Sequence, residues 1–424
     1  MKLLVVGGGG REHAIIKKLR ENPAVTEIYA LPGNGGIAAD AVCVDIAAKD
    51  LAGIAAFAQS HAIDFAVVAP DDPLALGCVD RLHALGIPCF GPEAKAARIE
   101  SSKVFSKNLM KKYGIPTASY EVFSAPGEAL DYLRAAQFPI VIKADGLALG
   151  KGVVIPQNFA EAEAAVQSIM EDKVFGASGN EIVIEEFLTG PEVSVLAFTD
   201  GTAIAPMVSA MDHKRAGDGD TGPNTGGMGA IAPNPCYTKA IAAQCMETIF
   251  LPTLAAMRQE GCPFKGCLYF GLMVTAQGPK VIEYNCRFGD PETQVVLPLL
   301  KTDLLTVMQA VERETLADLT LEWHDGAAAC VVLASGGYPG QYSVGREIFF
   351  PAALPEGAVC YHAGTALQDG KLVTHGGRVL GITATAPTLA QAVERAYIAA
   401  GTVGFQGSFL RRDIGQRALR IGEK

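Results

Sequence analysis

Apolar residues fall along this chain in short blocks, each closed by Gly, Pro or acidic residues. In the first hundred positions the blocks are Lys2–Val6, a run ending at Leu31-Pro32-Gly33-Asn34-Gly35-Gly36, Phe65–Ala69, and a run ending at Phe90-Gly91-Pro92. Each leads through a Gly- or Pro-bearing loop into a helical pattern, the first of them starting at His13–Leu19. Short apolar strands alternating with helices predict a parallel, doubly wound sheet. Ligands of such sheets lie beyond the carboxyl ends of the strands, and those ends carry Gly9, Gly10, Arg11, Asn34 and Asp71. The first helix, opening after four glycines, is expected to receive an anion at its N-terminus.

The pattern then changes. Pro139–Lys143 is a β-rich run that passes through Ala144-Asp145-Gly146-Leu147-Ala148-Leu149-Gly150-Lys151-Gly152 and returns as Val153–Ile155. A P-loop would open a helix after G-x-x-x-x-G-K-[ST]; this segment returns as a strand and predicts a hairpin flap. Amides of a Gly-rich tip can cover phosphates, with Lys143 supplying a point charge from the strand. Ile182–Leu188 is another apolar strand, ending in Glu185 and Glu186, and Glu192 follows Gly190-Pro191. Met211–Gly229 carries an acid, a His, a Lys and an Arg in succession and then many glycines, so it is expected to hold neither helix nor strand and to be a functional loop. Val281–Gln294 is the densest segment. Read as a strand, it puts Glu283 and Asn285 on one face. One anionic and one amide oxygen suit a hard divalent cation such as Mg²⁺. The strand breaks at Arg287-Phe288-Gly289-Asp290-Pro291-Glu292.

Composition narrows the classes. At 424 residues the chain is too long for one core and reads as about three domains. Its 49 % hydrophobic and 19 % charged residues are those of a globular chain, and no charge-free apolar run reaches the length of a membrane span. The N-terminus lacks the apolar core of a signal peptide, so a cytoplasmic location is expected. The ten cysteines include no CxxC pair, which predicts reduced, mostly buried thiols. A net charge of -10 argues against a nucleic-acid surface. A nicotinamide site also fits poorly: Gly7 and Gly9 match the dinucleotide fingerprint, but Glu12 holds its third position and the second strand ends without an acid.

The segments VIKADGLALGKGV, IVIEEFL, DHKRAGDGDTGPNTGGMGA and VIEYNCRFGDPETQ, with GGGGREHA at the start and HAGT and GGRVL near the end, resemble one family over essentially the whole chain. It is the glycinamide ribonucleotide synthetase (phosphoribosylamine-glycine ligase) family of the ATP-grasp superfamily. The resemblance implies an N-terminal Rossmann-like substrate domain over 1–100, an ATP-grasp domain over 101–324 with a flap subdomain at about 119–190, and a β-rich C-terminal domain over 325–424. It implies an ADP-forming ligation of glycine to 5-phosphoribosylamine in purine biosynthesis, by way of a glycyl phosphate, with ATP and Mg²⁺ or Mn²⁺ as cofactors, in a monomer.

Carried over by position, the resemblance implies that Lys103 and Lys143 contact ATP phosphates under a flap that includes Gly150, Lys151 and Gly152. Glu185, Glu186, Phe187 and Leu188 would bind adenine through backbone, Glu192 the ribose, and Glu283 and Asn285 the metal. Arg287 would orient the glycine carboxylate or acyl phosphate. Asp212, Lys214, Thr225, Gly226, Gly227, Met228, Asp290, Pro291 and Glu292 would surround the substrates, and Gly9, Gly10, Arg11 and Asn34 the phosphoribosyl end. Relatives typically have Pro-Glu-Ala-Pro-Leu where this chain has Pro70-Asp71-Asp72-Pro73-Leu74. Asp71 keeps the carboxylate with one methylene less reach, and Asp72 stands beside it to share the role. Two rivals are a related ligase acting on another carboxylate and a non-catalytic nucleotide sensor.

Overall fold

Four of the N-terminal apolar blocks form a five-stranded parallel sheet in the computed structural model, which describes residues 1–147 and 152–422. The strand order is Val42–Cys43, Glu27–Pro32, Lys2–Gly7, Phe65–Val68, Cys89–Phe90. The two-residue edge strand Val42–Cys43 is exposed on both residues and too short to register as an apolar block. The first strand alternates in its burial: Leu4 and Val6 enter one core together with Val195 and Phe270, while Leu3 and Val5 enter a second with Phe198 and Tyr269. The N-terminal sheet is therefore clamped to the central sheet through both of its faces.

The helix after the first strand begins at Gly10, three residues earlier than expected. Glu12 explains this. Its carboxylate accepts the Gly9 N–H at 2.6 Å, capping the helix and offsetting the poor helical propensity of Gly10. Glu12 thus places a carboxylate of the protein's own at this helix start.

The central region holds two antiparallel sheets. The smaller runs Tyr120–Phe123, Ile182–Glu186, Ile140–Ala144, Val153–Val154 and has a core of its own around Leu133, Ile142, Ile169 and Ile184. Ile140–Ala144 and Val153–Val154 pair antiparallel, the hairpin flap expected from the sequence. The larger runs Ile204–Pro206, Glu192–Asp200, Lys265–Thr275, Gly278–Asn285. One helix among the described residues, Lys239–Gln259, is long and apolar enough to cross a membrane by length and composition. Its Cys245, Ile249, Phe250, Leu254 and Met257 pack into the core shared by the N-terminal and central sheets, and we read it as a core helix.

Met211–Gly229 corrects the expectation of an unstructured loop. Met211–Asp212 and Gly229–Ala232 are strands, and Arg215–Gly217 pairs with Thr221–Asn224 as a small hairpin between them. Glycines are tolerated because the pairing partners are fixed by tertiary contacts rather than by local propensity. The outer pair joins a six-stranded sheet whose main path runs Met211–Asp212, Gly229–Ala232, Ala327–Ser335, Arg378–Ala386, Ala358–His362. Ser408–Phe409 pairs beside it and the helix Leu389–Ala400 packs over it. This C-terminal sheet therefore borrows two strands from far upstream of residue 325.

Candidate active site

Three lysines converge from two elements on the junction between the two central sheets. The helix Lys103–Tyr113 starts at Ser102, whose hydroxyl oxygen accepts the Phe105 N–H. Asp145, at the foot of the flap, accepts the Val104 N–H at 3.0 Å and so ties flap to helix. Lys103 Nζ donates to the Gly146 carbonyl at 2.8 Å, and burial lowers its pKa. Lys107, one turn on and on the same face, is buried with Nζ 2.8 Å from Glu185 Oε2. Lys143, on the flap strand, reaches Glu185 Oε1 at 2.9 Å and the Ile282 carbonyl at 3.0 Å.

Glu283 and Asn285 lie on the final strand of the larger sheet, opposite Gly271 and Tyr269. The Lys214 ammonium is 3.5 Å from Glu283 Oε1. Lys214, and then Lys143, Lys103 and Arg287, overcome burial and hold the Glu283 carboxyl down at about 2. It is ionised at any working pH. Lys214 is held protonated by Glu192, 3.4 Å away. Asn285 Oδ1 accepts from Arg287 Nη2 at 3.3 Å. Among the described residues no group of three or more His, Cys, Asp or Glu could hold a metal. Two hard oxygens on one strand fit a cation that takes its remaining ligands from phosphate and water.

Arg287 is fixed by a residue the sequence reading missed. Glu100, at the end of the helix Ala94–Ser101, is buried, places Oε1 3.0 Å from Arg287 Nη2, and accepts the Cys286 N–H at 2.7 Å. Asp71 adds its charge to the same cluster. Asp72 does not share that place: it pairs with Lys49 at 2.5 Å.

Beyond Arg287 lie two carboxylates. Glu292 is buried and accepts from Ser194 Oγ at 3.2 Å, whose oxygen lies 2.8 Å from Tyr269 OH. Removal from water and the nearby Glu292 push the Asp212 carboxyl well above its ordinary range. Gly227, at φ +115, lets the chain pass close by, because a Cβ there would stand 2.6 Å from Asp212 Oδ1. Arg378 locks this turn, donating to the carbonyls of Gly226 at 2.7 Å and Asp290 at 2.7 Å, with Nη2 3.4 Å from Asp290 Oδ2. Thr225 and Gly226 are tied to the Lys214 carbonyl and Tyr338 OH.

A cavity of about 300 Å³ opens between the N-terminal glycine turn and the C-terminal sheet, lined by Gly8, Gly9, Asn34, Asp290, Thr365 and Arg378 among others. Gly8 packs so tightly that any Cβ would run into the Gly33 carbonyl.

Contacts link many of the expected residues, from the lysines at Glu185 through Glu283 and Arg287 to the Arg378 turn, and set a few apart. Arg11 is buried, with Nε 2.8 Å from Glu12 and Nη1 donating to the Phe288 carbonyl at 2.9 Å, so it ties the first helix to the Arg287 turn. Asn34 borders the cavity, but its amide is engaged by Gly8, Gly36, Ile37, His362 and Thr365 and holds two loops together. The Met228 side chain is fully buried and belongs to the core rather than the cleft surface. Glu186 is paired with Lys280 at 3.1 Å, and Phe187 is exposed. Pro291 adjoins Gly227, and Gly10 lies against Asp290 and Gln294. Gly152 and Leu188 are described, whereas Gly150 and Lys151 lie outside the described residues. Lys107 could have been found from its i, i+4 spacing to Lys103, and Arg378 stands in the GGRVL segment that the resemblance quoted without a role.

Comparison with known proteins finds one family in three regions of the chain. Models of the phosphoribosylglycinamide synthetase N domain, ATP-grasp (A) domain and C domain match residues 1–100, 101–293 and 328–417. The chain is 49 % identical to the phosphoribosylamine–glycine ligase of Agrobacterium fabrum, over 99 % of both chains. It is also 49 % identical to the trifunctional purine biosynthetic protein adenosine-3 of Gallus gallus, but spans only 42 % of that longer protein. The crystal structure of phosphoribosylamine–glycine ligase from Thermotoga maritima superposes with a TM-score of 0.87 at 35 % identity, covering 98 % of this chain and 100 % of that one. With family models matched in all three regions and near-half identity over the full length, the chain belongs to the phosphoribosylglycinamide synthetase family, whose central domain is an ATP-grasp domain.

Proposed function

We propose that the chain ligates glycine to 5-phosphoribosylamine at the expense of ATP, giving glycinamide ribonucleotide, ADP and phosphate through glycyl phosphate, in de novo purine (IMP) biosynthesis. The observation that carries the reading is the gathering of Lys214, Lys143, Lys103 and Arg287 around the ionised Glu283. Four cations about one carboxylate suit a polyanion and its metal. A carboxylate is a poor electrophile until a good leaving group is attached, and attaching one requires that charge on the transferred phosphoryl group be neutralised.

In this reading Lys103 and Lys143 hold the phosphates beneath the flap, the strand end from Glu185 to Leu188 meets adenine through its backbone, and Glu192 the ribose. Glu283 and Asn285 hold Mg²⁺ or Mn²⁺, which would polarise the phosphoryl oxygens when bound. Arg287, preset by Glu100, orients the glycine carboxylate. Asp212 and Glu292 form an acidic pocket suited to the glycine ammonium. The cavity between the glycine turn and Arg378 takes the phosphoribosyl group, with Asp71 near its amine. The chain works as a cytoplasmic monomer on these small molecules.

The chemistry predicts a traceable atom. A glycine carboxylate oxygen attacks the γ-phosphorus of ATP, expelling ADP, and becomes the bridging oxygen of the acyl phosphate; the amine then attacks the acyl carbon, loses a proton and expels phosphate, which leaves carrying that oxygen. Turnover of glycine labelled with ¹⁸O in its carboxylate should place one label in inorganic phosphate. Unlabelled phosphate would exclude the acyl phosphate route.

A further inference from the structure

We propose that Lys107 is a positioning residue of the nucleotide site, supplying Glu185 with a fixed counter-ion so that Lys143 can give its charge to the triphosphate. The inference rests on the reading of Lys143 as a phosphate contact. Glu185 has an ammonium beside each oxygen, Lys107 Nζ 2.8 Å from Oε2 and Lys143 Nζ 2.9 Å from Oε1, the latter an ion contact without hydrogen-bond geometry. All three side chains are nearly closed to solvent, at 2 %, 3 % and 6 % exposure for Lys107, Glu185 and Lys143. One carboxylate cannot neutralise two ammonium groups, so the trio holds a surplus positive charge in a dry place. That is unfavourable unless an anion meets it.

The remaining contacts decide which lysine carries the surplus. Lys107 Nζ also donates to Thr117 Oγ1 at 2.8 Å, and that hydroxyl donates to the Val281 carbonyl at 2.7 Å. The Tyr120 ring lies 5.7 Å from the same Nζ. Lys107 is thus anchored to the helix, to the linker before the flap sheet and, through Thr117, to the strand of Glu283. Lys143 donates to the Ile282 carbonyl at 3.0 Å, next to Glu283, and its charge is felt by Lys103 and Glu283, on the side where a phosphate would lie. With Lys107 removed, Glu185 and Lys143 become a neutral buried pair, and the carboxylate competes with the triphosphate for Lys143.

The groups facing Lys107 are Glu185, Lys143, Glu186 and Tyr120, with Lys111 Nζ 5.4 Å from the centre of the same Tyr120 ring. Burial, only partly opposed by Glu185, brings the Lys107 ammonium down to about 8. It is charged at neutral pH and loses that charge just above it.

The test is steady-state kinetics of the full chain with ATP varied at saturating glycine and fresh phosphoribosylamine, for Lys107→Met, Lys107→Arg, Lys107→Met/Glu185→Gln and Lys143→Ala. Lys107→Met should raise KM for ATP and lower kcat together, by about tenfold or more in kcat/KM. Lys107→Arg should stay active and carry the alkaline limb of kcat/KM for ATP upward from about pH 8, because a guanidinium does not deprotonate. Adding Glu185→Gln to Lys107→Met should recover much of the loss, since no carboxylate then holds Lys143. A folded Lys107→Met with normal kcat/KM, an unmoved limb in Lys107→Arg, or a double variant worse than Lys107→Met would each overturn the inference. Should Lys107→Met fail to fold, the limb in Lys107→Arg decides. Full activity in Lys143→Ala would instead overturn the underlying phosphate reading.

Discussion

Glu283 and Asn285 stand two residues apart on one strand, yet their substitution should have unequal effects. Glu283→Gln keeps shape and strand register but removes the charge that faces Lys214, Lys143 and Lys103. Asn285→Ala deletes a neutral oxygen. We expect both variants to remain folded, with added Mg²⁺ restoring Asn285→Ala more readily than Glu283→Gln. Initial rate against Mg²⁺ at saturating ATP reads this out, and three superimposable curves would remove the metal site. Lys143→Ala should lose about 10²-fold or more in kcat while its thermal midpoint stays within a few degrees of the parent. A near-normal rate would discredit the flap lysine. The strand placement of Glu283, Asn285 and Lys143, and the break at Arg287, were legible in the sequence because they are local: spacing on one strand, or a lysine before a glycine-rich tip. Glu100, Lys107 and Arg378 were not, because each earns its place through a partner far along the chain. Arg11 and Asn34 read as substrate contacts, and their ties to Phe288 and His362, far along the chain, were hidden in the same way.

At the scale of elements, Met211–Gly229 shows most clearly what local pattern leaves out. Its glycines suggest a free loop, but His213 ties it into the C-terminal sheet. The Gly415 N–H donates to His213 Nε2 at 3.1 Å, so the ring proton must sit on Nδ1, which is 3.2 Å from the Gly229 carbonyl. Burial and then Arg411 push this histidine down to about 4. Because the unfolded chain binds the proton near its ordinary 6.5, the unfolded state gains protons first as pH falls. Stability should therefore be complete above about pH 6.5 and decline toward pH 4. His213→Ala should cost about 1–3 kcal/mol at neutral pH, by leaving the Gly415 N–H without its partner. It should also flatten the acid slope. Thermal melts from pH 7.5 to 4.5 test both, and a variant with the parent's slope would remove His213 as the cause. Arg378→Met should loosen the same loop from its other end, raising KM for phosphoribosylamine more than KM for ATP, since Arg378 lines the interdomain cavity and not the lysine cluster. An equal rise in both would count against that placement of the substrate.

Across the whole molecule, the N-terminal parallel sheet and the flap were readable because apolar blocks and their punctuation determine them. The sharing of structure between regions was not. The first strand feeds two cores that belong equally to the central sheet, and the C-terminal sheet takes two strands from the Met211–Ala232 segment. Such sharing brings the glycine turn, the Arg287 break and Arg378 to one cavity from three distant stretches of chain. A ligase built this way should commit ATP only when both other substrates are in place, because the acyl phosphate must be kept from water until its acceptor is bound. The decisive measurement is ADP release from the purified chain with ATP and Mg²⁺, in the presence of glycine alone, fresh phosphoribosylamine alone, both, and both with alanine or bicarbonate replacing glycine. Ligation as proposed predicts rapid release only with glycine and phosphoribosylamine together. Equal release with alanine or bicarbonate, or ATP binding with no amine-dependent release, would contradict it.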